Sequence, residues 1–288
     1  MALNVSLYSL SSSWLLAHMP ARCRISASDR NSGGTENGSR EPACYNSSPN
    51  QSMTNRTLGL VAGLGVGAGI FYYRSLVSAH LARGLSPQIV MVHADVRKVM
   101  ILAGARETRQ LADYLASLLR QLAGGGAHLA TVPAFAPQVC ARELAELTPI
   151  PLIDLLDAIV AEIERRRFHR VAVFGARVTM ETGLFGRLQN MVEVVPPRPA
   201  EIDMVGEAYK RIVEQEQASP EELESLRSLA HALIEREGLD AIILAGTDFS
   251  FVFNPANTDF PHLDGARTHI DAIMRTLLSE TYVPPHSQ

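Results

Sequence analysis

The 288-residue sequence predicts an α/β protein of doubly wound, mostly parallel sheets. Two observations carry this. From Thr57 onward, apolar runs of strand length alternate with amphipathic runs of helix length. The alternation then starts again near Pro151, so that about 230 residues fall into two similar halves. The expected boundaries are a first α/β domain over 57–154, completed by a C-terminal helix over 264–280, and a second over 155–263. Apolar residues make up 47% of the chain, enough for a sizeable core.

The elements follow in order. "TLGLVAG" reads as a strand and "GIFYYRSLVSAHLARG" as a helix ending at Gly84. "QIVMVHAD" is a second strand. The next helix, "ETRQLADYLASLLRQLAGGG", places Leu111, Leu115, Leu118 and Leu122 on one face before a glycine stop. "AHLATVP" is a third strand, and the helix after Pro137 carries Val139, Leu144 and Leu147. In the second half, the helical "PLIDLLDAIVAEIERRRF" leads to the strand "RVAVFGA", a turn, a helix over "METGLFGRLQ" and a short strand in "VEVVPP". "SPEELESLRSLAHALIEREG" announces its own helix: Ser219 caps, Pro220 takes the first position, Glu222 completes a capping box and Gly238 ends it. "LDAIILAG" is a final strand and "DGARTHIDAIMRTLL" a closing amphipathic helix.

Charge and cysteine usage narrow the function. A net charge of −4, with no basic excess, argues against the basic surface that nucleic-acid binding needs. Cys23, Cys44 and Cys140 show neither paired spacing nor a metal signature, so reduced thiols in a cytoplasmic protein are expected, with no metal. Residues 1–52 are rich in Ser, Asn and Gly. Their short apolar run at "SWLLAHM" lacks the basic start, length and cleavage site of a signal peptide. The absence of acidic residues before Asp29 has a transit-peptide flavour. The plainer expectation for 1–56 is a disordered extension, or an upstream start with Met53 as the working one. "TLGLVAGLGVGAGIFYY", Thr57 to Tyr73, is uncharged, but it contains five glycines and falls short of the roughly 20 residues of a membrane span. No membrane segment is expected.

In doubly wound folds ligands bind where strands end, so the turns after Val61, Val92, Val132, Phe174 and Leu244 are the places to look. In the first, Gly63, Gly65 and Ala68 fit G-x-G-x-x-A, and Asp95 closes the next strand. Asp95 lies later than the usual spacing, which leaves a dinucleotide-dependent enzyme as the weaker alternative. "GARVTMETG" and "LAGTDFS" leave their strands with Thr179 and Thr247. Those hydroxyls either donate to a small carboxylate or cap helices. Arg177 and Glu181 either meet a ligand's charge or are solvated. His93, close to Asp95 at a strand end, is a candidate base or a structural histidine.

The order of these blocks resembles the aspartate/glutamate racemase superfamily, from about Leu58 to Leu278. "LGLVAGLGVGAGIFYYRSL", "HADV", "GAHLATVPAFAPQ" with "PIPLIDLLDA", "VAVFGARVTMETGLF", "DAIILAGTDFSF" and "DGARTHIDA" look like its successive motifs. The resemblance implies two pseudo-symmetric domains with the active site in the cleft between them. It also implies a small carboxylic or amino acid as ligand, the homodimer that relatives often form, and no cofactor. In such racemases two cysteines face the substrate Cα from opposite sides; one thiolate removes the α-proton and the other thiol delivers one.

Carried over residue by residue, the resemblance breaks at those two positions. The first cysteine opens a CNTAH motif seventeen residues before the Pro of an "IP" pair, which is Ala134 counted back from Pro151. Phe135, Ala136 and Gln138 then take the Asn, Thr and His positions. In the second block LGCTE becomes "LAGTD": Gly246 takes the cysteine position, while Thr247 and Asp248 keep the Thr and acidic ones. His93 and Asp95 occupy the Ser and Asp of an SVDF-like block, and His269 matches a family histidine. Ala and Gly transfer no proton, so the usual two-cysteine racemisation is expected to be absent. Cys140 shares an apolar face with Leu144 and Leu147 and reads as a core residue. Phe135 and Ala136 predict a greasier pocket and a bulkier or less polar ligand. Two functions remain: an isomerase-family enzyme of altered chemistry built on His93 and Asp95, or a catalytically silent metabolite-binding or regulatory protein.

Overall fold

The computed structural model describes residues 56–279; the readings made on 1–55 lie outside the described residues. The first half runs β1 (Leu58–Ala62), α1 (Val66–Leu81), β2 (Ile89–His93), α2 (Val96–Gly104), α3 (Thr108–Gly124) and β3 (Leu129–Thr131). A 3-10 turn (Ala136–Cys140) and α4 (Ala141–Leu147) follow. The second half runs α5 (Leu155–Arg166), β4 (Arg170–Gly175), α6 (Arg177–Glu181), β5 (Glu193–Val194), α7 (Pro199–Gln215), α8 (Pro220–Glu237), β6 (Ala241–Ala245), α9 (Phe249–Val252), β7 (His262–Asp264) and α10 (Gly265–Leu278). All strand pairs are parallel, in the orders β2-β1-β3 and β5-β4-β6-β7. The α/β class with parallel sheets is therefore as the sequence predicts.

The central strands explain why their sequences are continuous apolar runs. β6 is buried along its whole length and β1 nearly so, because helices cover both faces. α3 turns Leu111, Leu115, Leu118, Leu119 and Leu122 into the first core. α8 carries its capping box, with the Ser219 hydroxyl accepting from the Glu222 amide and the Glu222 carboxylate from the Ser219 amide. Gly238 closes it in the left-handed region at φ 63°.

Elsewhere the sequence reading needs correction. "METGLFGRLQ" is not a helix: α6 stops at Glu181, and Gly183, Leu184, Phe185 and Gly186 all take positive φ. Its apolar spacing is met instead by successive turns that bury Leu184 and Leu188 beside Leu156 and Ile163. Unforeseen were α2, α7, α9 and β7. Of these, α7 lays Ile202, Val205, Ala208 and Ile212 against β4 and β6.

α10 is tied to the first half through His269, which is fully buried. Its Nε2 lies 3.1 Å from the Ile153 carbonyl and 2.9 Å from the Thr131 hydroxyl, and its Nδ1 lies 3.0 Å from the Tyr72 hydroxyl. A carbonyl only accepts, so Nε2 carries the proton and Nδ1 accepts from Tyr72. One neutral imidazole thus joins α10 to α1, β3 and the segment entering α5. Burial pushes its pKa down from 6.5 to about 4.

Unfolding at acid pH should report this ring. The unfolded histidine gains a proton as pH falls through 6.5 while the folded one resists until about 4. Stability is complete above 6.5, falls by about 3 kcal/mol towards pH 4 and then levels off for this group. Urea unfolding of the wild type and His269→Gln across pH 4–8 should show the variant missing that slope; parallel curves would rule the assignment out.

Candidate active site

Ala134, read from the sequence as the first cysteine position, follows β3 as it leaves its sheet. Ala134 is buried, and Gln138 folds back to donate from Nε2 to the carbonyls of Ala134 (3.0 Å) and Val132 (3.3 Å). That amide closes the turn. Phe135 is buried in a core cluster with Leu155, Ile159 and Leu263. It fills room left by Gly265, where a Cβ would come within 2.7 Å of the Phe135 ring. The expectation that Phe135 greases the pocket is thereby corrected, leaving only half-buried Ala136 to do so. Cys140 is fully buried, donates to the Pro137 carbonyl at 3.2 Å, and has its thiol pushed up to about 12 by burial. It behaves as the inert core residue expected of its apolar face.

The second position is occupied from another element. A Cβ built on Gly246 would lie 2.2 Å from Cε2, 2.6 Å from Cζ and 2.9 Å from the hydroxyl oxygen of Tyr209 on α7. The phenol therefore stands where a side chain at 246 would go. Its ring packs on Phe249 at 4.8 Å, and its hydroxyl donates to Oδ2 of Asp248 at 3.2 Å. The Thr247 hydroxyl donates to the same oxygen at 3.3 Å. Burial raises the Asp248 carboxyl above the usual aspartate range, and burial with Asp248 close by raises the Tyr209 phenol well above its ordinary value. In both groups burial disfavours the charged form. Sequence reasoning missed Tyr209, because nothing in α7 marks one tyrosine as facing a strand end.

Neither threonine hydroxyl caps a helix: the caps of α6 and α9 are Ala176 and Asp248. Thr179 is fully buried, and its hydroxyl has no hydrogen-bond partner among the described residues. Arg177, by contrast, is committed to ion pairs with Glu181 and Asp203 at the surface. Asp95 caps α2, accepting from the amides of Arg97 (2.9 Å) and Lys98 (3.2 Å). Its carboxylate is spent on that helix, and no hydrogen bond joins it to His93 among the described residues. His93 is exposed, its ring against the β1–α1 turn, 2.8 Å from where a Cβ on Gly63 would lie.

That turn answers the dinucleotide alternative. Gly65, at φ 131°, faces the Asp248 carboxyl, whose Oδ1 would be 3.5 Å from a Cβ there. A Cβ on Gly67 would meet the Phe251 ring at 2.8 Å and the Glu216 carboxyl at 3.0 Å. The glycines let the first half approach the second closely, and carboxyl groups and an aromatic ring occupy the ground a pyrophosphate would need. Among the described residues no cluster of His, Cys, Asp and Glu is placed to hold a metal ion, and no helix is long and apolar enough to cross a membrane.

Comparison with known proteins agrees with this architecture. The sequence matches the Asp/Glu/Hydantoin racemase family over residues 61–273. Among solved structures, the chain is similar to a Yersinia pestis protein put forward as an Asp/Glu racemase (TM-score 0.67, 23% identity, 78% of this chain and 100% of that one). It is also similar to an aspartate racemase homologue from Pyrococcus horikoshii (0.65, 20%, 77% and 99%) and to the Picrophilus torridus aspartate racemase (0.62, 16%, 77% and 94%). At these identities the likeness shows the fold. No curated protein matches the chain in sequence.

Steric exclusion at 246 is testable. Gly246→Cys should cost about 1–3 kcal/mol through overpacking against Tyr209. Adding Tyr209→Ala should recover part of that loss, so the double variant is more stable than the summed single effects. Additive losses in thermal or urea unfolding would show that the ring does not hold the space.

Proposed function

The chain belongs to the Asp/Glu/Hydantoin racemase family, and we propose that within it this protein recognises a small carboxylic or amino acid without two-thiol racemisation. The observation that carries this reading is the state of the two cysteine positions. Ala134 has no group to move a proton, and the volume beside Gly246 is taken by the Tyr209 ring. Two-base racemisation needs a proton acceptor on one face of Cα and a donor on the other, each contributing roughly 10²–10⁴-fold. With neither thiol present, that chemistry is gone.

Ligand recognition is supported by the polar groups around the same strand ends. A fully buried hydroxyl without a partner, as at Thr179, is costly unless something outside the described protein atoms satisfies it. Thr247, also buried, lies at the next strand exit. Donors at strand ends suit a carboxylate, which is the group common to the acids named for its structural relatives. The ion-paired Arg177 and the helix-capping Asp95 fall outside this reading. So does a base built on His93 and Asp95.

Two measurements bear on it. Polarimetry with L- and D-aspartate and glutamate should show no net racemisation, and turnover at rates typical of an enzyme would refute the loss of the two-thiol route. A thermal-shift screen of small carboxylic and amino acids should raise the melting temperature with at least one. A flat screen would remove the ligand-binding half of the proposal.

A further inference from the structure

The two lost thiols are not lost in the same way. On the Ala134 side the turn is sealed by the Gln138 amide, and no hydrogen bond brings a titratable side chain to Ala134 among the described residues. On the Gly246 side a protic group has moved in from α7. We propose that the Tyr209 phenol and the Asp248 carboxyl together take over proton transfer at this one face, making the site a one-sided proton-exchange centre for carbon acids. The inference rests on the small-acid reading above.

The geometry supports a division of labour within the pair. Oδ2 of Asp248 receives both the Tyr209 and the Thr247 hydroxyls, at 3.2 and 3.3 Å. Both carboxyl oxygens face the β1–α1 turn, where Gly65 presents no side chain; a built Cβ would stay 3.5 Å from Oδ1 and 3.6 Å from Oδ2. Among the described residues no side-chain donor is bonded to Oδ1. The buried carboxyl is thus held by side-chain donors at one oxygen and not at the other. The Tyr209 ring is fixed against Phe249, so its hydroxyl stays aimed at the carboxyl.

In the ionised form Oδ1 takes the proton from the Cα–H of a bound acid, and the C–H electron pair passes into the carboxyl group of the substrate as an enediolate. The two hydroxyl donors on Oδ2 stabilise the Asp248 carboxylate before transfer. The reverse step returns a proton from the same Oδ1 to the same face, reforming the C–H bond. No group on the Ala134 side delivers to the opposite face. The proton therefore exchanges with solvent while the configuration is kept.

The test is proton NMR of the loss of the Cα–H signal in D2O, with the full-length protein and the acids that stabilise it thermally. The configuration of the product is read by chiral chromatography. Expected is deuterium incorporation with retention. Asp248→Asn should slow exchange by at least about 100-fold while thermal stabilisation by the acid persists. Tyr209→Phe should slow exchange and move its pH profile upward, since a lost donor raises the pKa of the Asp248 carboxyl. Ligand stabilisation without exchange, exchange with inversion, or full exchange in folded Asp248→Asn would each overturn the inference and leave ligand binding intact. If no acid stabilises the protein, the small-acid reading fails and this inference with it.

Discussion

The volume at the carboxyl end of β6 admits one occupant, and that occupant is the ring of Tyr209. Several other contacts descend from this. With Gly246 lacking a side chain, the phenol reaches Asp248 and packs on Phe249. Asp248 is held towards the first half, where Gly65 has no side chain to push it back. One turn further on, Gly67 accepts the face of Phe251, which stacks edge-on against Phe71 of α1. The two halves meet through a line of close approaches in which a missing Cβ on one side is matched by a ring or carboxyl on the other. A methyl group at Gly246 or Gly67 would have to displace an aromatic ring.

Burial disfavours charge on the members of this line that water does not reach. An unpaired buried carboxylate is expensive, and burial accordingly raises the Asp248 carboxyl while two hydroxyls satisfy one of its oxygens. The same logic operates at His269, kept neutral by burial and bonded through both nitrogens. Ion pairs such as Arg227 with Asp259 and Arg177 with Asp203 lie at the periphery, where solvent screens them and each contributes little. The buried carboxylates Glu162 and Asp264 are instead answered by Arg165, Arg166 and Arg267.

This distribution explains what could be read in the sequence. The central strands declare themselves because burial on both faces demands unbroken apolar runs, and α8 because its capping box is a local signal. The vacant cysteine positions are legible from spacing: Ala134 from its distance to Pro151, Gly246 from its place after β6. What occupies the space beside them is not local information. Tyr209 stands 37 residues before Gly246 on a helix whose periodicity is ordinary. Phe135 has the chain position of a cleft residue, yet its direction is decided by Gly265, which opens a hole in the opposite core 130 residues away. "METGLFGRLQ" misleads for a related reason: its apolar residues are buried, but Gly183 and Gly186 let turns bury them as well as a helix would.

The two cysteine positions therefore stand at different distances from the family's chemistry. Ala134 differs from cysteine by one sulfur, and its turn is closed by main-chain contacts of Gln138 that do not involve the Ala134 side chain. Gly246 differs by a whole side chain whose place is filled, so a thiol there requires a second change that removes the ring of Tyr209. Removing that ring would also strip a donor from Asp248 and a packing partner from Phe249. A thiol at 134 would need one change and a thiol at 246 two, and the proposed one-sided site rests on that asymmetry.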